Sequence, residues 1–366
     1  MATEIQGTSN ISEFLRYLVE KDASDLHLKA GAPPIIRVNG ILYPSEFDRL
    51  TPNDTERAAM EIMSDRIAQD FSATGEADFA YAKDGLGRFR CNVFRQRGSV
   101  GIAVRRVLPG SPSFDSLGLP ASVAKVTEQV RGLILVTGMT GSGKTTTTGA
   151  MINHINSTRS VHIITIEDPI EILHPDRMSI VNQREIGIDT ADFSQALRRA
   201  MRQDPDVIFI GEMRDEETVH AALSAAETGH LVISTLHTID VAETVNRVIE
   251  FFPPHQQKQV RISLAGALKG IVSQRLLLSK DGQGQVPAVE VCVMNGRIFD
   301  LIVNPEQTHL LHDVIAESAF YGMQTFDQSL LGLFREDKVT LEDAISASSN
   351  PHDFQIMLRQ SGLLES

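Results

Sequence analysis

Apolar positions recur at helical spacing over Ile11, Phe14, Leu15, Leu18 and Val19, after a Ser9-Asn10 cap signal. The period then shortens to two. Ser24-Asp25-Leu26-His27-Leu28 alternates as a strand does, Ile35-Ile36-Arg37-Val38 follows, and Asn39-Gly40 is a hairpin signal leading into Ile41-Leu42-Tyr43. A helical stretch is expected from about Asn53 to Asp70, with Met60, Ile62, Met63 and Ile67 as its apolar members. Three more strands are expected between Ala77 and Val107, with Asp84-Gly85 at one turn and Gly98 near another. Helix, strands, helix, strands predict an α+β domain on an antiparallel sheet over residues 1–108.

Residues Leu108 to Pro120 concentrate proline, glycine and serine, so 109–120 is expected to be a flexible linker. From 121 to 366 the pattern changes to apolar strands alternating with helices, which predicts a mainly parallel α/β sheet. The expected strands are Gly132–Thr137, Val161–Ile166, Val207–Ile210 and Leu231–Thr235, each a near-continuous apolar run that suits burial on both faces. The tail from Thr308 reads as amphipathic helices, among them Thr325–Phe334 and Leu341–Ala347.

The residues just after each strand carry the chemistry, because ligands of open α/β sheets sit at the carboxyl ends of the strands. The first strand runs into Gly138-Met139-Thr140-Gly141-Ser142-Gly143-Lys144-Thr145, and Thr146 continues into a helix-compatible run. Strand, glycine-rich turn and helix are the order of a phosphate-binding P-loop. The glycines let successive N–H groups turn inward, and the helix presents the positive end of its dipole. Lys144 is expected on the β/γ-phosphates and the Thr145 hydroxyl on Mg²⁺, so the chain is read as binding a nucleoside triphosphate.

After the second strand come Glu167, Asp168 and Glu171, more carboxylate than a turn needs. One acid could orient a water for in-line attack while another meets metal, and spacing does not separate the three. Glu212, after the third strand, is placed as a Walker B acid holding Mg²⁺ or polarising the attacking water; the plainer alternative is a helix cap. His230 and His237 bracket the fourth strand about 23 Å apart, so they cannot share a metal. His237, at the carboxyl end, could report the γ-phosphate, whereas His230 is expected to be structural or at a subunit contact. In the first domain Arg88, Arg90, Arg95 and Arg97, with Arg105 and Arg106, form the most basic segment. They are either a solvated sheet face or a source of arginine fingers acting across a subunit boundary.

Composition trims the alternatives. At 366 residues two domains are the natural expectation, and no apolar run approaches the ~20 residues of a membrane helix. The first six residues have neither the basic flank nor the apolar core of a signal peptide, and two cysteines, Cys91 and Cys292, cannot form a metal knuckle, so a cytosolic protein is expected. A net charge of −13 counts against a broad nucleic-acid face, and no nucleic-acid partner is expected.

Together these motifs resemble the type II/IV secretion ATPase superfamily, specifically its PilT-type twitching-motility ATPases, over nearly the whole chain. The resemblance rests on Ala23-Ser-Asp-Leu-His27-Leu, Gly31 to Gly40, the P-loop, Thr165-Ile-Glu-Asp-Pro-Ile-Glu171 and Val181-Asn-Gln-Arg-Glu185. It also rests on Asp204 to Asp215 and on Ala226 to Thr238. It implies a PAS-like α+β domain joined to a RecA-like ATPase domain, and a homo-hexameric ring hydrolysing ATP bound between the second domain of one subunit and the first of a neighbour. It makes Glu171 the catalytic carboxylate, Glu212 the Walker B acid, and Arg90, Arg97 and Arg105 the basic partners acting in trans. His230 and His237 fall in its histidine box. A cytoplasmic ring docked on an inner-membrane platform protein and driving pilus retraction is implied, with a paralogous pilus ATPase as a further partner. An extension or accessory pilus or secretion ATPase, and a hexameric nucleic-acid translocase, stay open beside it. One departure bears on this choice: the family's Ala-Ile-Arg-Asn-Leu-Ile-Arg-Glu signature is here Arg297-Ile298-Phe299-Asp300-Leu301-Ile302-Val303-Asn304, with both of its arginines replaced. The four-cysteine zinc module of many extension and secretion motors is missing from the sequence.

Overall fold

The computed structural model describes residues 10–38, 40–282 and 284–364. Two compact units divide at Pro109 and Gly110.

The first unit opens with helix Ile11–Glu20, its end capped by Asn10, whose side chain accepts from the Ser12 N–H. Ser9 of the expected cap lies outside the described residues. Six antiparallel strands follow: β1 (Asp25–Lys29), β2 (Ile35–Val38), β3 (Ile41–Pro44), β4 (Glu76–Lys83), β5 (Gly87–Gln96) and β6 (Ser99–Pro109). They run in the order β3-β2-β1-β6-β5-β4. Val38 pairs with Ile41 and Gly40 has φ +83°, which suits the expected two-residue hairpin; its Asn39 lies outside the described residues. Alternation along β5 buries Phe89, Cys91 and Val93 on one face, where they meet Leu26, Leu28, Ile102 and Val104 and the helices' Phe14 and Phe71.

The single helix expected over 53–70 is two. Pro52–Ile62 starts on a Thr51–Asp54 capping box, and Asp65–Thr74 starts anew on Ser64. The Ser64 side chain accepts from the Ile67 N–H and so caps a new helix just after Met63 closes the first, which the apolar spacing alone does not register.

In the second unit β7 (Gly132–Thr137), β8 (His162–Glu167), β10 (Ile180–Glu185), β11 (Val207–Ile210), β12 (Leu231–Leu236) and β13 (Leu268–Leu278) are mutually parallel, and β14 (Gln285–Val293) is antiparallel on β13. The two-residue strand β9 (Ile172–Leu173) lies between β8 and β10 in the chain. The sheet order is β10-β8-β11-β12-β7-β13-β14. Each central strand sends alternate residues to two cores. Leu133 and Leu135 of β7 join Ile164 and Ile208 under helices Phe193–Ala200, Glu216–Glu227 and Val241–Glu250; Ile134 and Val136 join Met151, Ile152 and Ile155 of helix Lys144–Thr158 on the other side. Burial on both faces is why these strands read as unbroken apolar runs.

Besides the two-residue β9, three strands are not legible in that pattern. β10 is an edge strand whose half-exposed Asn182-Gln183-Arg184 carries no apolar run. Helix Pro254–Ala267 runs directly into β13, and β14 follows it, so no turn signal separates helix from strand. The tail helices Phe326–Arg335, Leu341–Ala347 and Pro351–Gln360 gather Phe326, Leu330, Phe354 and Leu358 around Leu277 and Ala288 of the β13–β14 hairpin.

Candidate functional site: a P-loop cavity at the carboxyl edge of the sheet

β7 delivers the P-loop. Gly138 has φ +145°, and a Cβ placed there would stand 2.4 Å from Ser142 Oγ and 2.5 Å from the Gln274 carbonyl oxygen, so only glycine closes this turn. Gly143, at φ +90°, is the last residue before helix Lys144–Thr158, whose N–H groups open onto the loop. Lys144 is buried and its Nζ donates to Gly138 O at 2.6 Å and Met139 O at 3.0 Å. Burial pulls its ammonium below the ordinary lysine range, against Glu212 and Glu171, which favour the charged form. The Ser142 hydroxyl is buried beside Gly138 without a hydrogen-bond partner.

The neighbouring strands bring the acids. Thr235 of β12 secures both flanks of Glu212: its hydroxyl donates to Gly211 O at 2.6 Å and its carbonyl accepts from Met213 N at 3.2 Å. The Glu212 carboxylate accepts from Arg214 at 2.8 Å and stands 3.5 Å from His237 Nε2. His237 Nδ1 lies 3.4 Å from Lys144 Nζ. At the end of β8, Glu167 is buried and its Oε1 accepts from Thr165 (2.6 Å) and Gln183 (3.1 Å). Burial raises the Glu167 carboxyl above the usual range, opposed by those hydrogen bonds. Asp168 and Glu171 are exposed, and Asp168 approaches Arg214 at 4.0 Å.

One cavity of about 560 Å³ is lined by Thr140, Gly141, Gly143, Lys144, Thr145 and Thr146 from the loop, by Glu167, Asp168 and Glu171, and by Glu212 and His237. The residues expected around a triphosphate are therefore brought together, because β8, β11, β12 and β7 are adjacent in the sheet. Arg214 and His174 line the same cavity and do not stand out in the sequence; the charge two residues after Glu212 was the available signal for Arg214. Met139 is an exposed loop residue. His230 is elsewhere, at the amino end of β12, with Nδ1 against the Ala225 carbonyl at 3.0 Å.

The expected trans arginines belong to the first unit. Arg90 and Arg105 are cross-strand partners on β5 and β6, and Arg105 pairs with Asp25 at 2.8 Å. Burial works to raise the Asp25 carboxyl, but Ser24 and Arg105 outweigh it and hold it below the usual range. Arg97, expected with the others on a sheet face or as an arginine finger, is not on a strand: with φ +48° it forms the two-residue turn with Gly98 between Gln96 and Ser99.

The donor set fits a nucleotide. A glycine cradle and a helix N-terminus suit phosphate oxygens, while the Thr145 hydroxyl and Glu212 carboxylate are hard oxygen ligands of the kind Mg²⁺ takes.

Residues 113–308 match the type II/IV secretion system protein family. The chain is 41% identical over 345 residues to the type IV pilus retraction ATPase PilT of Pseudomonas aeruginosa, covering 94% of this chain and all of that one. It is 40% identical over 347 residues to the type IV pilus ATPase PilU of the same organism, covering 95% and 91%. A crystal structure of the pilus retraction motor PilT with bound ADP superimposes with a TM-score of 0.88 at 48% identity, covering 95% of this chain and 99% of that one. With the P-loop fold, the cavity and these relatives in agreement, the chain belongs to the type II/IV secretion system protein family and is one of its P-loop ATPases.

Proposed function

We propose that this chain is an ATP-hydrolysing motor that drives type IV pilus retraction. The observation that carries the proposal is the single cavity in which Lys144, Glu171, Glu212 and His237 meet at the ends of four adjacent parallel strands, in a chain similar over its length to PilT.

In this reading the P-loop amides, that of Ser142 among them, and Lys144 bind the phosphate oxygens. Thr145 and Glu212 would hold Mg²⁺, which neutralises phosphate charge when bound. Glu171 orients the attacking water and accepts its proton. Glu212 is held toward the cavity by Arg214, and His237, between Glu212 and Lys144, senses the γ-phosphate end of the site. Arg90, Arg97 or Arg105 of a neighbouring subunit offsets developing charge in a homo-hexameric ring. Nucleotide-dependent closure and reopening of the subunits would couple hydrolysis to work on an inner-membrane platform protein, from the cytoplasmic side. Among the described residues no helix is long and apolar enough to cross a membrane.

A second reading, an accessory pilus ATPase working beside a paralogue, is favoured by one observation. In helix Gly296–Val303 the apolar Ile298, Leu301 and Ile302 are buried, while Phe299, where the retraction signature has arginine, is exposed. The departure leaves the packing intact and changes the surface.

Pilus dynamics in a deletion strain test the proposal. Long fibres that do not retract are expected. Bald cells would overturn it in favour of extension, and normal retraction that is lost only when a second pilus ATPase is also deleted would assign the accessory role.

A further inference from the structure

The stretch Val181-Asn-Gln-Arg-Glu185 has no part in the chemistry above, yet it forms edge strand β10 alongside the acid-bearing end of β8. Gln183, paired with Thr165, uses both ends of its amide. Nε2 donates to Glu167 Oε1 at 3.1 Å and to the Ile172 carbonyl at 2.8 Å, and Oε1 accepts from the His174 N–H at 2.8 Å. Glu185, two residues on along the strand and buried, accepts from the Ile170 N–H with Oε2 at 3.0 Å. Backbone groups at 170, 172 and 174 are thus tied to two side chains of one strand. Glu171 sits between two of the tied positions, with its own carboxylate exposed to the cavity.

We propose that Gln183 is the positioning residue for Glu171, strapping the Ile170–His174 segment to the edge strand so that this carboxylate is held at the phosphate end of the cavity. The proposal rests on Glu171 as the residue that handles the attacking water. A loop carrying a reacting group loses rate steeply with small displacements; about 1 Å can cost roughly a hundredfold. Of the segment's ties to β10 at 170, 172 and 174, Gln183 makes two, and the third is made by a neighbour on the same strand. Because Gln183 holds backbone and the buried Glu167 carboxylate rather than nucleotide, its loss acts on turnover and spares binding at the P-loop.

The test is steady-state ATPase kinetics of the full-length protein, with ADP affinity and thermal unfolding measured in parallel. Gln183→Leu is expected to lower kcat about 10- to 100-fold, with KM and ADP affinity changed less than about threefold. Combined with Glu171→Gln it should be no slower than Glu171→Gln alone, since both act through one group. If Glu171→Gln is inactive while Gln183→Leu keeps more than half of wild-type kcat, or if the two losses multiply, the positioning role is overturned and the role of Glu171 stands. If Glu171→Gln turns over normally, the reading of Glu171 itself fails. Gln183→Glu, which keeps the side-chain length and the acceptor for His174 N–H, covers the case in which Gln183→Leu loses ADP binding as well. A loss confined to kcat in Gln183→Glu then upholds the proposal, and its absence overturns it.

Discussion

Arg214 grips Glu212: the guanidinium donates to one carboxylate oxygen at 2.8 Å while the other faces His237 Nε2 at 3.5 Å. The hydrogen bond to Glu212 raises the affinity of Arg214 for its proton, with the charges of Glu212 and Asp168 adding to it. Arg214 therefore keeps the Glu212 carboxylate in one orientation. Arg214→Ala should lower kcat about tenfold, the equivalent of roughly 1.4 kcal/mol, with ATP affinity nearly unchanged. Steady-state kinetics beside a nucleotide titration check this, and a loss confined to KM would refute it.

Glu171→Gln and Glu212→Gln keep size and hydrogen bonding but remove charge. Each is expected to bind ATP within a fewfold of wild type and to lose roughly a hundredfold or more in turnover, the scale of a general base or a charge-stabilising group. Normal turnover in both variants would remove these acids from the mechanism.

The two P-loop glycines should respond differently to alanine. Both sit at positive φ, where a side chain costs roughly 1–3 kcal/mol of backbone strain. At Gly143 the added Cβ meets only the Leu276 side chain, at 3.4 Å; at Gly138 it strikes a backbone carbonyl at 2.5 Å. Gly143→Ala is expected to lower the melting temperature by a few degrees and to retain nucleotide. Gly138→Ala should abolish nucleotide binding, as read by a fluorescent ADP titration.

Burial pushes the His174 imidazole down to about 4, from an ordinary value near 6.5. The unfolded chain thus takes up this proton first as pH falls. The stability that neutral His174 contributes is complete above pH 6.5 and drains away between 6.5 and 4, to at most roughly 3 kcal/mol. His174→Leu should flatten that part of the curve of melting temperature against pH. An unchanged slope would mean that another group carries the acid sensitivity.

Much of this site is legible in the sequence because its chemistry is local. Gly138 to Thr145 must be contiguous to wrap a phosphate, and Glu212 comes just after a strand whose every residue is apolar. The stretch 53–70 departs from its expected single helix because one cap residue, Ser64, outweighs periodicity. Arg97 departs from the sheet face because the hairpin turn takes it, at φ +48°, out of the strand.

From the order of residues alone came the two kinds of sheet, the P-loop and the acids and histidine at the strand ends, since hydrophobic period and turn chemistry act between near neighbours. Only tertiary structure decided that β8, β11, β12 and β7 lie side by side, that Arg214 pairs with Glu212, and that the amide of Gln183 straps the segment around Glu171. Strand order and side-chain hydrogen bonds between distant segments depend on which surfaces pack together. That energy is spread over the whole core, and no short stretch of sequence displays it.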